Sequence, residues 1–89
     1  MKLEKQIEKE YGKKVKAAGG EFLKFVSPNN AGVPDRIAIY PNGRVVFIEF
    51  KKKGGRLSAL QIWWGKRLAA LGCEYKVIGE DGAANDNRL

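Results

Sequence analysis

The tripeptide Pro41-Asn42-Gly43 constrains this 89-residue chain most, because it stands between two largely apolar runs, residues 35–40 and 44–51. An Asn-Gly pair accepts the positive φ angles of a tight turn, and such a turn joins two neighbouring strands into a hairpin. The two runs are therefore predicted to pair antiparallel, with Asn42 at the midpoint of the turn.

This hairpin brings two carboxylates and one lysine together. With Asn42 at the midpoint, Asp35 lies opposite Glu49, within roughly 5 Å, which is the spacing of cross-strand neighbours. Lys51 emerges on the same face as Glu49, since alternate strand residues share a face. Charged residues rarely interrupt a core strand without a functional reason. The alternative is that Asp35 is a turn residue and that Glu49 and Lys51 form an exposed ion pair.

A divalent metal ion suits the predicted pair of carboxylates. Two carboxylates at this range repel each other unless a cation lies between them, and oxygen-rich sites favour Mg²⁺ or Mn²⁺. The backbone carbonyl of Phe50 is a further candidate ligand. Lys51 is placed to orient or deprotonate a water, or to stabilise the charge that develops on a phosphate. The hairpin thus predicts a site that hydrolyses a phosphodiester with one or two metal ions.

The composition limits both the partner and the chemistry. The net charge of +7 favours an anionic partner, most simply nucleic acid, with a solubilising surface charge as the alternative. The absence of histidine and the single cysteine, Cys73, exclude Ser-His and Cys-His nucleophiles, an intrachain disulfide and a zinc site. No apolar segment approaches the ~20 residues of a membrane span. We therefore expect a cytoplasmic protein, and its short length suggests a bacterium or a phage-infected cell as the source.

Hydrophobic periodicity predicts six elements in the order α-β-β-β-α-β. Apolar residues recur at helical spacing over residues 2–18 and again over 58–71, where Ser58 is the N-cap and Gly72 ends the helix. The strands are expected at residues 21–26, 35–40, 44–51 and 73–79. The long connection through the second helix lets the last strand run parallel to an earlier one. The predicted fold class is α/β, with a small mixed sheet flanked by helices.

The motifs resemble those of the VRR-NUC (virus-type replication-repair nuclease) domain, a branch of the PD-(D/E)XK nuclease superfamily. The matching segments are Gly32-Val33-Pro34-Asp35-Arg36, Phe47-Ile48-Glu49-Phe50-Lys51 and Gly54-Gly55-Arg56-Leu57-Ser58-Ala59-Leu60-Gln61. The resemblance extends from about residue 2 to residue 79. It implies a divalent-metal-dependent nuclease with a restriction-endonuclease-like αβββαβ core. The expected domain covers residues 1–80, and a flexible tail covers residues 81–89.

The resemblance also implies roles for single residues. Asp35 and Glu49 would be the metal ligands, and Lys51 would be the catalytic lysine. A glutamate on the first helix usually completes such sites. Glu4 matches this position best, and Glu8, one turn further along the same helix face, is the alternative. For each of the two glutamates, the alternative is an ordinary residue of a helix surface.

Gln61 and five basic residues complete the candidate site. In the family a glutamine on this helix faces the active site, yet Gln61 also stands at the third position of a capping box, so both roles stay open. The candidates for contact with DNA phosphates are Lys52, Lys53 and Arg56, with Lys24 and Arg36 as weaker candidates. For the first three, a solvated turn is the alternative.

Two adjacent tryptophans and the small size of the core suggest assembly. Trp63 and Trp64 cannot both face one core, so one is expected inside and the other at a dimer interface or stacked on DNA. A dimer also covers apolar area that a short chain leaves open. Stand-alone family members resemble junction-resolving enzymes, which implies a homodimer that cuts branched or four-way DNA. The alternatives are a monomeric nuclease for flaps or ends and a non-catalytic DNA-binding module.

Overall fold

The computed structural model describes residues 3–52 and 54–79, and its six elements have the predicted order. The helices are α1 (Glu4–Ala17) and α2 (Ala59–Ala70), and the strands are β1 (Glu21–Lys24), β2 (Arg36–Ile39), β3 (Val45–Phe50) and β4 (Glu74–Ile78). Each strand is two residues shorter than predicted. Lys53 and the tail predicted at 81–89 lie outside the described residues. Within the described ranges, neither helix has the length and apolar character needed to cross a membrane.

The four strands form one mixed sheet in the order β1-β2-β3-β4. The first three strands are antiparallel neighbours, whereas β4 runs parallel to β3. Helix α2 lies between β3 and β4 in the sequence and supplies the long crossover that a parallel pair requires. The predicted α/β fold with a mixed sheet is confirmed.

The turn between β2 and β3 sets the register of the hairpin. Gly43 adopts a φ of 85°, as the Asn-Gly pair predicted. Arg36 of β2 pairs with Ile48 of β3, and one further step in this register places Asp35 opposite Glu49. The cross-strand juxtaposition read from the sequence is therefore the one that the fold produces.

The two helices cover opposite faces of the sheet. The buried cluster beneath α1 comprises Ile7, Val15, Ala38, Val46, Ile48, Phe50 and Ile78. The cluster beneath α2 comprises Leu68, Tyr75 and Val77, with Phe47, Leu57, Trp64 and Cys73 partly buried against it. Successive residues of β3 alternate between the two clusters, so both faces of this strand are covered. Glu49, which follows the alternation of Phe47, therefore lies inside the protein.

The loop between β1 and β2 rests against α2. The indole Nε1–H of Trp64 donates a hydrogen bond of 3.0 Å to the Ala31 carbonyl. The next residue, Gly32, has a φ of 90°. A Cβ at this position would lie 2.6 Å from the Cβ of Leu60, so a glycine is needed for the loop to approach the helix. This contact fixes the chain just before Asp35.

We expect Gly32→Ala to lower the free energy of unfolding more than Gly43→Ala. Both glycines have positive φ, so each substitution imposes backbone strain of about 1–2 kcal/mol. Only at Gly32 would the new methyl group also collide with α2, because a Cβ at Gly43 has nothing within 4 Å. Urea denaturation of both variants and the wild type measures the difference. Equal losses would contradict a close contact between the loop and α2.

Candidate active site

Asp35 and Glu49 lie side by side where β3 ends. Asp35 Oδ2 accepts a hydrogen bond of 3.0 Å from the backbone N–H of Phe50, which fixes the Asp35 carboxyl beside that strand. Glu49 is only 2% exposed, and it is the one charged residue buried in the described part of the chain. The predicted juxtaposition is confirmed. The alternative of an exposed Glu49–Lys51 ion pair is wrong, because Glu49 is buried.

The Glu49 carboxyl has too few hydrogen-bond donors for a buried charge. Its Oε2 accepts a hydrogen bond of 3.2 Å from Gln61 Nε2, whereas its Oε1 is buried and finds no donor among the described residues. Burial raises the pKa of Glu49 to about 9; the adjacent Asp35 carboxyl acts in the same direction, and Lys51 opposes it. Two carboxyls can bond to each other only when they share a proton. Without a cation, the buried Glu49 carboxyl therefore retains its proton at neutral pH.

Asp35 and Glu49 are the residues available to hold a divalent metal ion. A cation between them would replace the shared proton and give Glu49 Oε1 a partner. No group of three Asp, Glu, His or Cys side chains converges into a metal site within residues 3–52 and 54–79. Mg²⁺ tolerates such a set, since it commonly retains several waters and binds through one or two carboxylates. The role of the Phe50 carbonyl as a ligand stays a prediction.

An open pocket of about 240 Å³ is lined by Asp35. It lies between α1 and the segment that leads into β2, and Phe50 of β3 also lines it. Glu49 is not among the lining residues, in agreement with its burial. Glu4, Lys5, Glu8 and Lys24 come from α1 and β1 to line the remainder. Acidic and basic side chains therefore line the same opening.

Lys51 follows directly on the last residue of β3. Its backbone N–H donates a hydrogen bond of 3.0 Å to the Ile78 carbonyl, which extends the pairing of β3 with β4 and fixes the backbone at this point. Its positive charge acts on Glu49 to lower that residue's pKa. The structure thus places the lysine within electrostatic reach of the carboxyl pair, while its catalytic role stays a prediction.

Gln61 both caps α2 and contacts Glu49. Its Oε1 accepts from the Ser58 N–H at 2.8 Å and its own N–H donates to Ser58 Oγ at 3.1 Å, which confirms the capping box. Its Nε2 is still free to donate to Glu49, and it does so. The two roles are compatible because an amide carries its donor and its acceptor on different atoms. The start of α2 is thereby tied to the carboxyl pair.

The two candidate glutamates of α1 have different partners. Glu8 forms an ion pair with Arg36, whose guanidinium also lies 5.0 Å from the centre of the Phe22 ring. Glu4 instead accepts a long hydrogen bond of 3.5 Å from the Lys52 N–H, and its charge contributes to the raised pKa of Glu49. Glu4 is therefore the glutamate that faces the end of β3. Arg36 is thus paired with Glu8, and its contact with a DNA phosphate stays a prediction.

Lys5 and Tyr75 belong to the surroundings of the site although the sequence did not single them out. Lys5 lines the pocket, as the predicted Lys24 does, whereas Lys52 and Arg56 are exposed on the turn before α2. The Tyr75 hydroxyl is buried without a hydrogen-bond partner in the described structure, and burial, Glu49 and Asp35 raise its pKa. Strand alternation places Tyr75 on the face of Glu49, but it does not reveal the distance between them.

Trp64 is partly buried and Trp63 is exposed, so the predicted difference between the two tryptophans is confirmed. Trp64 packs against the cluster beneath α2 and is anchored to Ala31. Trp63 is 54% exposed and meets the Trp64 ring edge-on, with 5.0 Å between the ring centres. Leu60, one turn earlier on α2, is also exposed. The partner that covers Trp63, a second copy or DNA, stays a prediction.

In a buffer with a metal chelator, we expect the free energy of unfolding to fall between about pH 5 and pH 9. A carboxyl whose pKa rises on folding from 4.5 to about 9 contributes its full stability below pH 4.5 and loses it as the pH approaches 9. Glu49→Gln removes this titration. Its stability should therefore depend less on pH, as urea denaturation at both ends of the range can measure.

Glu74→Gln is the matched control for this titration. The hydrogen bond from Arg44 lowers the pKa of Glu74, so the contribution of Glu74 is constant above its ordinary pKa and is lost only in acid. This variant should keep the wild-type pH dependence between pH 5 and pH 9. A wild-type curve parallel to that of Glu49→Gln would contradict a proton held by the Asp35–Glu49 pair.

Comparison with known proteins identifies the family. The VRR-NUC domain model matches residues 2–80. The protein called "Putative nuclease p44" of Acyrthosiphon pisum secondary endosymbiont phage 1 is 41% identical over 75 residues, which cover 84% of this chain and 81% of the phage protein. A solved structure described as a VRR_NUC domain superposes with a TM-score of 0.81 at 26% identity, over 85% of this chain and 83% of that one. These matches support a nuclease, and the chain belongs to the VRR-NUC domain family.

Proposed function

We propose that this protein is a divalent-metal-dependent DNA endonuclease that works through Asp35, Glu49 and Lys51. The buried Glu49 beside Asp35 is the observation that supports this most directly. A buried carboxyl with an unpaired oxygen destabilises a fold, and a cation at this position offsets that cost. Membership of the VRR-NUC family and the phage relative support the same activity.

In this proposal, each side chain around the pocket has a separate role in hydrolysis. Asp35 and Glu49 would hold Mg²⁺ or Mn²⁺, which when bound supplies a Lewis acid and a water of lowered pKa. Gln61 keeps the Glu49 carboxyl in position through its 3.2 Å hydrogen bond. Lys51 stabilises the negative charge on the phosphate, or accepts a proton from the attacking water. Glu4 faces the same opening and completes the acidic set from α1.

We further propose that the substrate is branched or four-way DNA and that the enzyme acts as a homodimer. Support comes from the exposed apolar surface of Leu60 and Trp63 on α2, since aromatic residues concentrate at interfaces. This surface lies on the same helix as Gln61, so two copies joined there would hold two active sites in a fixed relation. Two sites of this kind suit symmetric incision of two strands.

Lys51→Ala is expected to lower the rate of DNA cleavage by a factor of about 10² or more, because a charge-stabilising group typically contributes that much. DNA affinity should stay close to the wild-type value, since Lys51 is expected to act on the charge that develops during cleavage and not on the bound substrate. Cleavage of labelled DNA and fluorescence anisotropy measure the two quantities. Lys66→Ala, an exposed lysine of α2, is the matched control and should cleave normally. Full activity in Lys51→Ala would remove Lys51 from the mechanism.

Asp35→Asn and Glu49→Gln are expected to lose binding of Mn²⁺ in isothermal titration calorimetry. Each substitution keeps the size of the side chain but removes a negatively charged oxygen that a hard cation requires. Glu74→Gln, which removes a partly exposed carboxylate at the start of β4, three residues before the partner of Glu49 in the sheet, should bind Mn²⁺ as the wild type does. Unchanged affinity in the first two variants would contradict their roles as ligands.

The DNA preference is tested with four-way junction, flap and linear duplex substrates in Mg²⁺ or Mn²⁺. Symmetric cuts in the junction, lost in Lys51→Ala, are the expected result, together with a dimeric mass by light scattering. Cleavage restricted to flaps or ends by a monomer would retain the nuclease and reject the junction preference. Binding without cleavage of any substrate would favour a non-catalytic DNA-binding module.

A further inference from the structure

Four of the five lysines of α1 are concentrated on one flank of the helix. At about 100° per residue, Lys5, Lys9, Lys13 and Lys16 fall within an arc of about 80°. We call these four residues the α1 lysine row. The glutamates of the helix, Glu4, Glu8 and Glu10, all lie outside this arc. A solvated helix face usually mixes both signs, so this separation of charge is unusual.

The spacing within the α1 lysine row is unfavourable for the isolated helix. Lys5, Lys9 and Lys13 follow one another at intervals of four residues, and Lys16 follows three residues later. Like charges at these intervals repel and destabilise a helix. Glu21 of β1 relieves part of this at the far end, through an exposed contact of 3.7 Å with Lys16. An anion bound along the row would remove the repulsion over its whole length.

The α1 lysine row begins at the candidate active site. Lys5 lines the pocket that contains Asp35. Lys9, Lys13 and Lys16 then line a shallow groove whose floor is formed by Gly12 and Phe22. Apolar floors of this kind accept the aliphatic stems of lysines and leave the ammonium groups at the rim, towards solvent. The charges therefore form one continuous line that leads away from the pocket.

Gly12 is the reason that this groove has an apolar floor. A Cβ at Gly12 would lie 2.7 Å from the Phe22 ring, so the glycine allows α1 to lie directly on β1. The close approach brings the lysine stems next to the ring. The arrangement of the row thus depends on the packing of the helix and not only on its composition.

We propose that the α1 lysine row binds the phosphate backbone of a duplex arm of the substrate, beyond the phosphodiester that is cut. Between Lys5 and Lys16 the helix rises about 16 Å, which is the length of about five base pairs of DNA. The row holds and orients the DNA and takes no part in the chemical step. This inference rests on the proposed function, which determines which end of the row faces the scissile phosphate.

Lys13 and Lys14 provide a matched test, because they are adjacent, exposed and equally charged. Lys13 belongs to the row, whereas Lys14 is about 180° from Lys5 on the helix and lies on the other flank. At about 0.1 M salt, Lys13→Gln should weaken binding to duplex DNA about fivefold to tenfold. It should also make the slope of log K against log salt concentration shallower by about 0.9. Lys14→Gln should change neither quantity.

Fluorescence anisotropy with a labelled duplex in a metal chelator measures these values without cleavage. The double variant Lys9→Gln/Lys13→Gln should roughly double the change in slope. Thermal unfolding controls for damage to the fold, and Lys13→Gln should melt no lower than the wild type because it removes a like charge. In cleavage assays with metal, the double variant should raise KM and leave kcat at saturating DNA unchanged.

Equal affinity and equal salt slopes in Lys13→Gln and Lys14→Gln would overturn the α1 lysine row as a DNA contact. That result would leave Lys51-dependent cleavage, and hence the proposed nuclease, intact. Failure of the proposed nuclease would give a different result. If no substrate is cut while binding still depends on Lys13 and not on Lys14, the nuclease is rejected and the DNA contact along α1 is established.

Discussion

The burial of Glu49 in the central strand β3 is the constraint on which the site depends. Helices cover both faces of this strand, so the carboxyl cannot reach water as a surface glutamate does. An unpaired charge in such a place is very costly, so Glu49 retains its proton beside Asp35, and the amide of Gln61 donates to its Oε2. The Glu49 Oε1 atom finds no hydrogen-bond partner among the described residues. In the proposed nuclease, a cation would take the place of that proton.

Helix α2 connects this carboxyl to the rest of the molecule. Its first turn is capped by Ser58 and Gln61, and the same glutamine reaches Glu49. Further along, Trp64 holds the loop that precedes Asp35, and Gly32 lets that loop come close. Glu49 lies in β3 and Asp35 directly precedes β2, and α2 contacts both Glu49 and the loop that leads to Asp35.

Local signals in the sequence were sufficient where one interaction decides the structure. The Asn-Gly turn sets the hairpin register by itself, and the Ser58 capping box defines the start of α2, so both were predictable. The choice between Glu4 and Glu8 was not, because both lie on one helix face. It depends on Arg36, which comes from a strand and pairs with Glu8. Contacts of this kind arise from the packing of helix on sheet, for which periodicity gives no distance.

The basic side chains at the pocket offset the negative charge of its acidic lining residues. Three carboxylates, Glu4, Glu8 and Asp35, line the opening and would repel a phosphodiester before it reached a metal ion. Lys5 and Lys24 line the same opening and oppose that repulsion where the substrate enters. In the proposed nuclease, attraction of the DNA and hydrolysis of the bond would therefore be carried out by different side chains. A basic surface outside an acidic centre would let DNA affinity vary without any change to the carboxyl pair.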